Sequence, residues 1–448
     1  MQRQAATPKG LDRRLRDLAF ERHVTEPRDA SKVSYKLPTV LSVLVAAIVT
    51  AARSLRHVEQ RSGQLVERHG RWRGLVSRIA DNTLSKLIRR LNAKELVSCL
   101  VSMVKAEHRR GNLKATVLPV ATAAIDGKNV ATLRWHDLCR VLEVEQSTAK
   151  PEDVKRQLKK KFPNVQMCIP ADGEPYALAR VHTVTLISSL AAVCVYQRPI
   201  EGRTNEIGAM PALLNERHKA YGRTDIIAML TTDAGNTSLK SNTMIVEKLR
   251  WHYFSQIKSE HGELYREAQR LLARRQPSTA GSTYSDAQNG YAVTYHVWCE
   301  ELFEHGWLNW QHARQLIRVQ RVAEHPVTGH KTIGNRYYVT SKVASELAAK
   351  DALSVSRKHW RCEEETHWTT DVVLHEDRRR LAWSRHPYGV FVVSVLRMMA
   401  LNILAVARKL SRLKGSNEAP AWHQVTEHFL LVLCATTLLT EEFDALSE

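Results

Sequence analysis

"TVLPVATAAIDGKNV" (116–130) reads as a mostly buried strand that runs out on Asp126, Gly127 and Lys128. A second apolar run, "DIIAMLTTDAGN" (225–236), also ends on an aspartate, Asp233. Between them, "HTVTLISSL" (182–190) and "AAVCVYQRPIE" (191–201) suit adjacent strands, and "NEIGAMPALLNERHKAY" (205–221) has helical spacing. Beyond Asp233, "SNTMIVEKLR" (241–250) is helical and "WHYFSQIK" (251–258) is a further strand. The order strand, strand, strand, helix, strand, helix, strand predicts an α/β fold in which two strands deliver carboxylates near their ends. Open α/β sheets place their chemistry there. Each aspartate alone is equally a turn residue or a helix cap.

A third acidic segment lies far downstream. "SRKHWRCEEETHWTTDVVLHED" (356–377) sets His359, Glu363, His367, Asp371 and His375 at every fourth position. On a helix, steps of four stay near one face, drifting by about 40° each time. Three readings follow. A zinc site of His359, Glu363 and His367 fails on distance, because side chains two turns apart lie about 12 Å apart along the axis. A solvated helix surface would turn Trp360 and Trp368 inward. The third reading joins Glu363 to Asp126 and Asp233 as a three-carboxylate cage for two divalent ions. Mg²⁺ takes carboxylate and water oxygens, and two such ions about 4 Å apart activate a nucleophile and stabilise the leaving oxygen of a phosphodiester. Glu364 and Glu365 compete with Glu363 for this position.

The chain has 448 residues, more than one typical core holds, with 44% hydrophobic and 25% charged residues. Its 66 Lys and Arg against 46 Asp and Glu leave a net charge of +20, which points to a polyanionic partner. The seven cysteines form no CxxC pair, against a zinc ribbon or disulfide framework and in keeping with a reducing compartment. The basic, polar N-terminus lacks the pattern of a secretory signal. "LPTVLSVLVAAIVTAA" (37–52) is short for a membrane span and reads as a buried helix. A cytoplasmic protein without membrane contact is expected.

Four regions are predicted. Residues 1–36 read as a flexible basic arm, and 37–112 as an all-α domain for DNA binding or association. In the latter, "DNTLSKLIRRLN" starts on cap residues Asp81 and Asn82 and opposes Leu84, Leu87, Ile88 and Leu91 with Lys86, Arg89 and Arg90. Residues 113–412 form the catalytic domain, with a basic helical stretch "KRQLKKK" (155–161) and a β-rich subdomain spliced in at about 270–345. "GVFVVSVLRMMALNILAVARKL" (389–410) is a long apolar helix that packs on the sheet. Residues 413–448 are a linker and an amphipathic helix.

With these pieces in order, the chain resembles the DDE transposases of bacterial insertion sequences, particularly the group that includes the H-repeat-associated transposases. The resemblance spans roughly residues 35–412. It rests on "AIDGK" (124–128), "HTVTLISSL", "TNEIGAMPALL" (204–214), "LTTDAGN" (230–236), "RYYVTS" (336–341), "RKHWRCEEETHWTTDVVLHED" (357–377) and "ALNILAVARKL" (400–410). It implies an RNase-H-like mixed sheet flanked by helices, and carries a metal-binding catalytic triad onto Asp126, Asp233 and Glu363. Cys362, Glu365 and Thr366 depart from the usual residues of that helix.

What the resemblance implies is a mobile-element endonuclease that recombines DNA at terminal inverted repeats, using two Mg²⁺ ions with Mn²⁺ as a substitute. Water attacks the end phosphodiester, and the released 3′-hydroxyl attacks target DNA in a second in-line displacement. Two ends must be held together, so a homodimer on double-stranded DNA is expected, associated with the nucleoid when bound. Lys128, Arg357 and His359 are candidate phosphate or substrate contacts beside Lys86, Arg89 and Arg90. Trp298, Trp307 or Trp310 is a candidate for stacking on an unpaired base, with core packing the alternative. A catalytically inactive DNA-binding descendant, and a metal-dependent nuclease without strand transfer, are the competing readings.

Overall fold

The computed structural model describes residues 8–273, 276–286, 290–302, 308–376, 383–411 and 419–434. Its ten-stranded sheet comprises β1 (Thr122–Arg134), β2 (Val165–Cys168), β3 (Tyr176–Leu186), β4 (Val193–Pro199), β5 (Met229–Thr232), β6 (His252–Ile257), β7 (Thr279–Asp286), β8 (Tyr291–Glu301), β9 (Gln315–Glu324) and β10 (Lys331–Thr340). β1 is antiparallel to β3 and β3 to β4, whereas β5 runs parallel to β1 and β6 parallel to β5. The spatial order β4-β3-β1-β5-β6, three antiparallel strands followed by two parallel ones, is the expected RNase-H-like arrangement. β2 shares the outer edge of β3, pairing with its first residues while β4 pairs with its last.

The strands of the insertion do not form a separate subdomain. β10 pairs with β6 through Tyr337↔Ile257 to Thr340↔Phe254, and β9, β8 and β7 follow outward in the same sheet. The central sheet had an unfilled edge at β6, and an antiparallel partner satisfies its backbone donors and acceptors.

The helices are α1 (Pro8–Asp17), α2 (Phe20–His23), α3 (Leu37–Val49), α4 (Leu55–His69), α5 (Asp81–Ile88), α6 (Ala93–Arg109), α7 (Trp135–Leu142), α8 (Pro151–Lys161), α9 (Glu206–Tyr221), α10 (Leu239–Glu247), α11 (Gly262–Leu272), α12 (Ala349–Lys358), α13 (Gly389–Leu410) and α14 (Trp422–Cys434). From residue 8 onward the expected flexible arm is ordered. Leu11, Leu15, Leu18 and Phe20 are buried in the core that α3 and α6 line. Arg14, itself buried, holds Glu107 of α6 with Nε 3.1 Å from Oε1. The buried leucines outweigh the charges between them, because those charges face outward or pair.

α13 is the spine of the molecule. Its N-terminal half joins α3, α5 and α6 in one apolar cluster, and its last turns reach the cluster beneath β1, β3 and β5. It is long and apolar enough to cross a membrane, but lies wholly buried inside the protein. In α5, Leu84, Leu87 and Ile88 are buried while Lys86, Arg89 and Arg90 are exposed, as the spacing predicts. Asp81 and Asn82 stand in the first turn of the helix rather than capping it, since the N-cap position is Ala80.

Candidate active site

In the parallel ladder Ile125 faces Thr232, so Asp126 and Asp233 each follow the last paired residue of neighbouring strands, about 5 Å apart. Both point to the face on which α12 and its continuation lie, the side of the sheet shared by Ala124, Met229, Phe254 and Cys362. The chain after α12 is not a regular α-helix. Cys362–His367 and Thr369–Val373 are π-helical, and the wider turn moves the four-residue row off a single face. Glu363 and Glu364 are exposed, and Trp368 is 50% exposed rather than packed inward. Glu365 is committed elsewhere, 2.5 Å from the Arg361 guanidinium, which also binds the carbonyls of Ile187, Ser189 and Leu190. Of the three glutamates, Glu363 is the one whose charge acts on Asp126.

The carboxylates repel one another. Burial first, then Glu363, Asp233 and Glu206, push the Asp126 carboxyl up to about 7. Glu363 is likewise raised by burial, Asp233 and Glu364, against the opposing pull of Arg336. Each acid is held by its own partners. Asp126 Oδ1 accepts from the Gly127 amide at 2.8 Å, and its Oδ2 lies 3.4 Å from His367 Nδ1. His367 Nε2 shares a 2.8 Å hydrogen bond with the Thr183 hydroxyl, and burial beside Lys128 lowers its pKa to about 3, so the imidazole is neutral. Asp233 Oδ1 accepts from the backbone amide of Asn236 at 3.0 Å and from its side-chain amide at 2.8 Å. Among the described residues no three His, Cys, Asp or Glu side chains close around one point as ion ligands. The donor chemistry nonetheless suits a hard cation, since anionic oxygens crowded in a half-buried cleft are stabilised by a positive ion.

A fourth carboxylate escaped the sequence reading. Glu206 opens α9, beside the N-cap Asn205, whose Oδ1 accepts from the Gly208 amide at 2.9 Å. The Asn236 side-chain amide also donates to Glu206 Oε2 at 3.2 Å, and so bridges Glu206 to Asp233. A Cβ on Gly127 would fall 2.2 Å from Glu206 Oε1, so the glycine leaves the room that this carboxylate fills. His182, opposite Gly127 on β3, steadies Asn236 with Nε2 3.1 Å from Oδ1. The signal was present in part: His182 and Thr183 are polar residues set in an apolar strand.

Several predicted contacts lie elsewhere. Lys128 is buried, with Nζ 2.7 Å from both Asp371 Oδ1 and Glu376 Oε2, so it serves an internal ion network instead of a phosphate. His359 is buried, 3.3 Å from the Thr231 hydroxyl, and burial lowers its pKa to about 4, which removes it from the substrate face. Arg357 is exposed, with its guanidinium 5.0 Å above the Tyr295 ring. Trp298 is buried beneath Arg318, and Trp310 is half-buried beside His261, so both pack inside the protein. Trp307 is outside the described residues.

No protein-family model matches the chain. Among its relatives, YbfL of Escherichia coli K12 is 22% identical over 397 residues, 85% of this chain and 88% of that protein. YhhI of the same strain, by name an H repeat-associated transposase, is 26% identical over 236 residues, 50% of this chain and 58% of its own. YncI of E. coli O157:H7, by name a transposase, is 25% identical over 243 residues, 50% of this chain and 56% of its own. A piggyBac transposase synaptic complex with hairpin DNA aligns with 98% of this chain and 81% of its own at TM-score 0.42 and 12% identity, too distant to carry an argument. Sheet topology and relatives together define an RNase-H-like protein related to transposases of bacterial type.

Proposed function

We propose that the chain is a DDE transposase that cleaves and joins double-stranded DNA at the terminal inverted repeats of an insertion sequence. The observation that supports it most is the electrostatic coupling of three carboxylates from distant parts of the chain. Asp126 lies within β1 and Asp233 just past the end of β5, each next after the last pair of the parallel ladder, and the charge of Glu363 bears on Asp126 while that of Asp233 bears on Glu363. These three residues would hold Mg²⁺, with Mn²⁺ as a substitute, and two such ions would supply Lewis acidity to the reacting phosphodiester.

The remaining groups keep the acids in place. His367 and the Gly127 amide fix Asp126, and Asn236 fixes Asp233. Glu363 sits on the open side, where DNA arrives. Exposed Lys86, Arg89, Arg90 and Arg357 contact phosphates. Two ends are joined to one target, so the working form is a homodimer on DNA in the cytoplasm. No protein nucleophile takes part.

The test uses linear duplex bearing the inverted repeats that flank the gene, with Mg²⁺. Wild type cleaves the ends and joins them to a second duplex, and Asp233→Asn binds but does neither. Cleavage retained by that variant refutes the assignment. That no three carboxylates close around one ion among the described residues favours one rival, a DNA-binding descendant without catalysis. Binding without cleavage by wild type would establish that rival, and cleavage without joining would establish a plain nuclease.

A further inference from the structure

We infer that α5, residues 384–388 and the C-terminal end of α8 form a single surface that grips the backbone of duplex DNA beside the carboxylates. The inference rests on the transposase reading for the direction in which the duplex leads away from the site. Either helix alone would be an ordinary solvated face. The contacts between them make one surface.

On α8, Val154 and Leu158 are buried. Lys155 and Arg156 pair with Glu152 and Asp153, but Lys159, Lys160 and Lys161 are exposed without a carboxylate partner among the described residues. The Tyr388 hydroxyl donates to the Lys161 carbonyl at 2.8 Å, and the Phe162 ring meets His386 and Tyr388 edge-on at 5.4 and 4.9 Å. From the other side Ile88 of α5 packs against Gly389, and Arg89 lies near enough to His386 to add to burial in lowering its pKa. Arg385, half exposed, stands in the same turn, 4.0 Å from Asp137. Lys86, Arg89, Arg90, Arg385 and the three lysines therefore form a continuous cationic band around the N-terminus of α13.

The band lies downstream of the carboxylates along β1. A cavity of about 410 Å³ separates residues 129–134 of β1 from Arg385 and Arg397. The eight residue-to-residue steps from Asp126 to Arg134 span about 26 Å of strand. At 3.4 Å per base pair, that is about eight base pairs of duplex. Cations on convex helices suit phosphates, whereas single strands need stacking platforms, and Tyr388 is the one exposed aromatic ring in the band. The apolar faces of α5 and α8 are buried, so neither offers a bilayer an apolar side.

The test measures the affinity of the full chain for an arbitrary duplex of roughly 30 base pairs, about three turns, across a salt series. Far-UV circular dichroism checks each variant for native fold first. Removing one cation from a phosphate flattens the log–log salt dependence by about 0.9. Lys159→Ala/Lys160→Ala/Lys161→Ala is expected to lower the slope by about 3, and Arg89→Ala/Arg90→Ala by about 2. Lys219→Ala/Arg223→Ala, exposed at the far end of α9, leaves it unchanged. Unaltered slopes in both band variants overturn the inference, as does a control pair that acts like the arginine pair. Failure of the transposase reading looks different: wild type binds with the steep slope and never cleaves.

Discussion

Replacing Lys128 with methionine separates an internal strut from a phosphate contact. The Lys128 side chain is 6% exposed, and its ammonium sits 2.7 Å from both Asp371 and Glu376. Burial pushes its pKa down, but Glu376 and Asp371 outweigh that effect and the net shift is upward. The same cations hold Glu376, 1% exposed, below the usual carboxylate range despite its burial, with Arg397 3.4 Å away as the second partner. Methionine fills the volume but strands two carboxylates. Breaking a buried pair costs about 3–5 kcal/mol, and Arg397 with the partial exposure of Asp371 sets the expectation at the lower end, ~3 kcal/mol. With an m-value of about 3 kcal/mol/M, the urea midpoint falls by about 1 M, read by tryptophan fluorescence. Lys128→Met/Asp371→Asn recovers part of that loss, since the second change removes one stranded charge. The contribution of Glu376 is present above its unfolded value of 4.5 and is lost as pH falls through its lower folded value, so the deficit of Lys128→Met narrows in acid. Stability within about 1 kcal/mol of wild type, with a DNA salt slope flatter by about 1, would refute the strut and restore the phosphate role.

Three further outcomes are expected. Asp126, raised to about 7, is largely protonated at pH 6 and ionised at pH 8, so Mg²⁺ raises the melting temperature more at pH 8; an equal rise at both refutes the site. Gly127→Ala places a Cβ 2.2 Å from Glu206 Oε1, displacing a flexible tip at a stability cost under about 1 kcal/mol. Its loss of DNA cleavage should match that of Glu206→Ala, and the double variant should fall no further; additive losses refute the contact. Leu15→Ala, in the segment that reads as a flexible arm, destabilises by about 2–5 kcal/mol in urea unfolding, whereas a mobile arm would give under about 0.5.

The central strands were legible because each is an apolar run bounded by turn residues, and because Asp126 and Asp233 interrupt two of those runs at the same place. The joining of β6 to β10 was not, since pairing between strands far apart in sequence leaves no local mark. Residues 8–20 did carry a signal: Leu11, Leu15 and Leu18 follow helical spacing, obscured by the arginines between them. The four-residue row misled in another way. Its regularity suggests one α-helical face, but the π-helical turns divide it, turning Asp371 to Lys128 and leaving Glu363 toward the cleft. Glu206 reads locally as a favourable first-turn acid, and only the bare backbone of Gly127 across from it reveals a second use.

The ladder between β6 and β10 governs how the molecule moves. A module tethered by two linkers could swivel freely over a bound helix of DNA. Here, rotation of the outer four strands must first rupture main-chain bonds shared with β6, the neighbour of the strand that leads into Asp233. Force applied at that rim therefore arrives at Asp233 as strain within one stiff plate, and a clamp formed there tilts the cutting centre along with it.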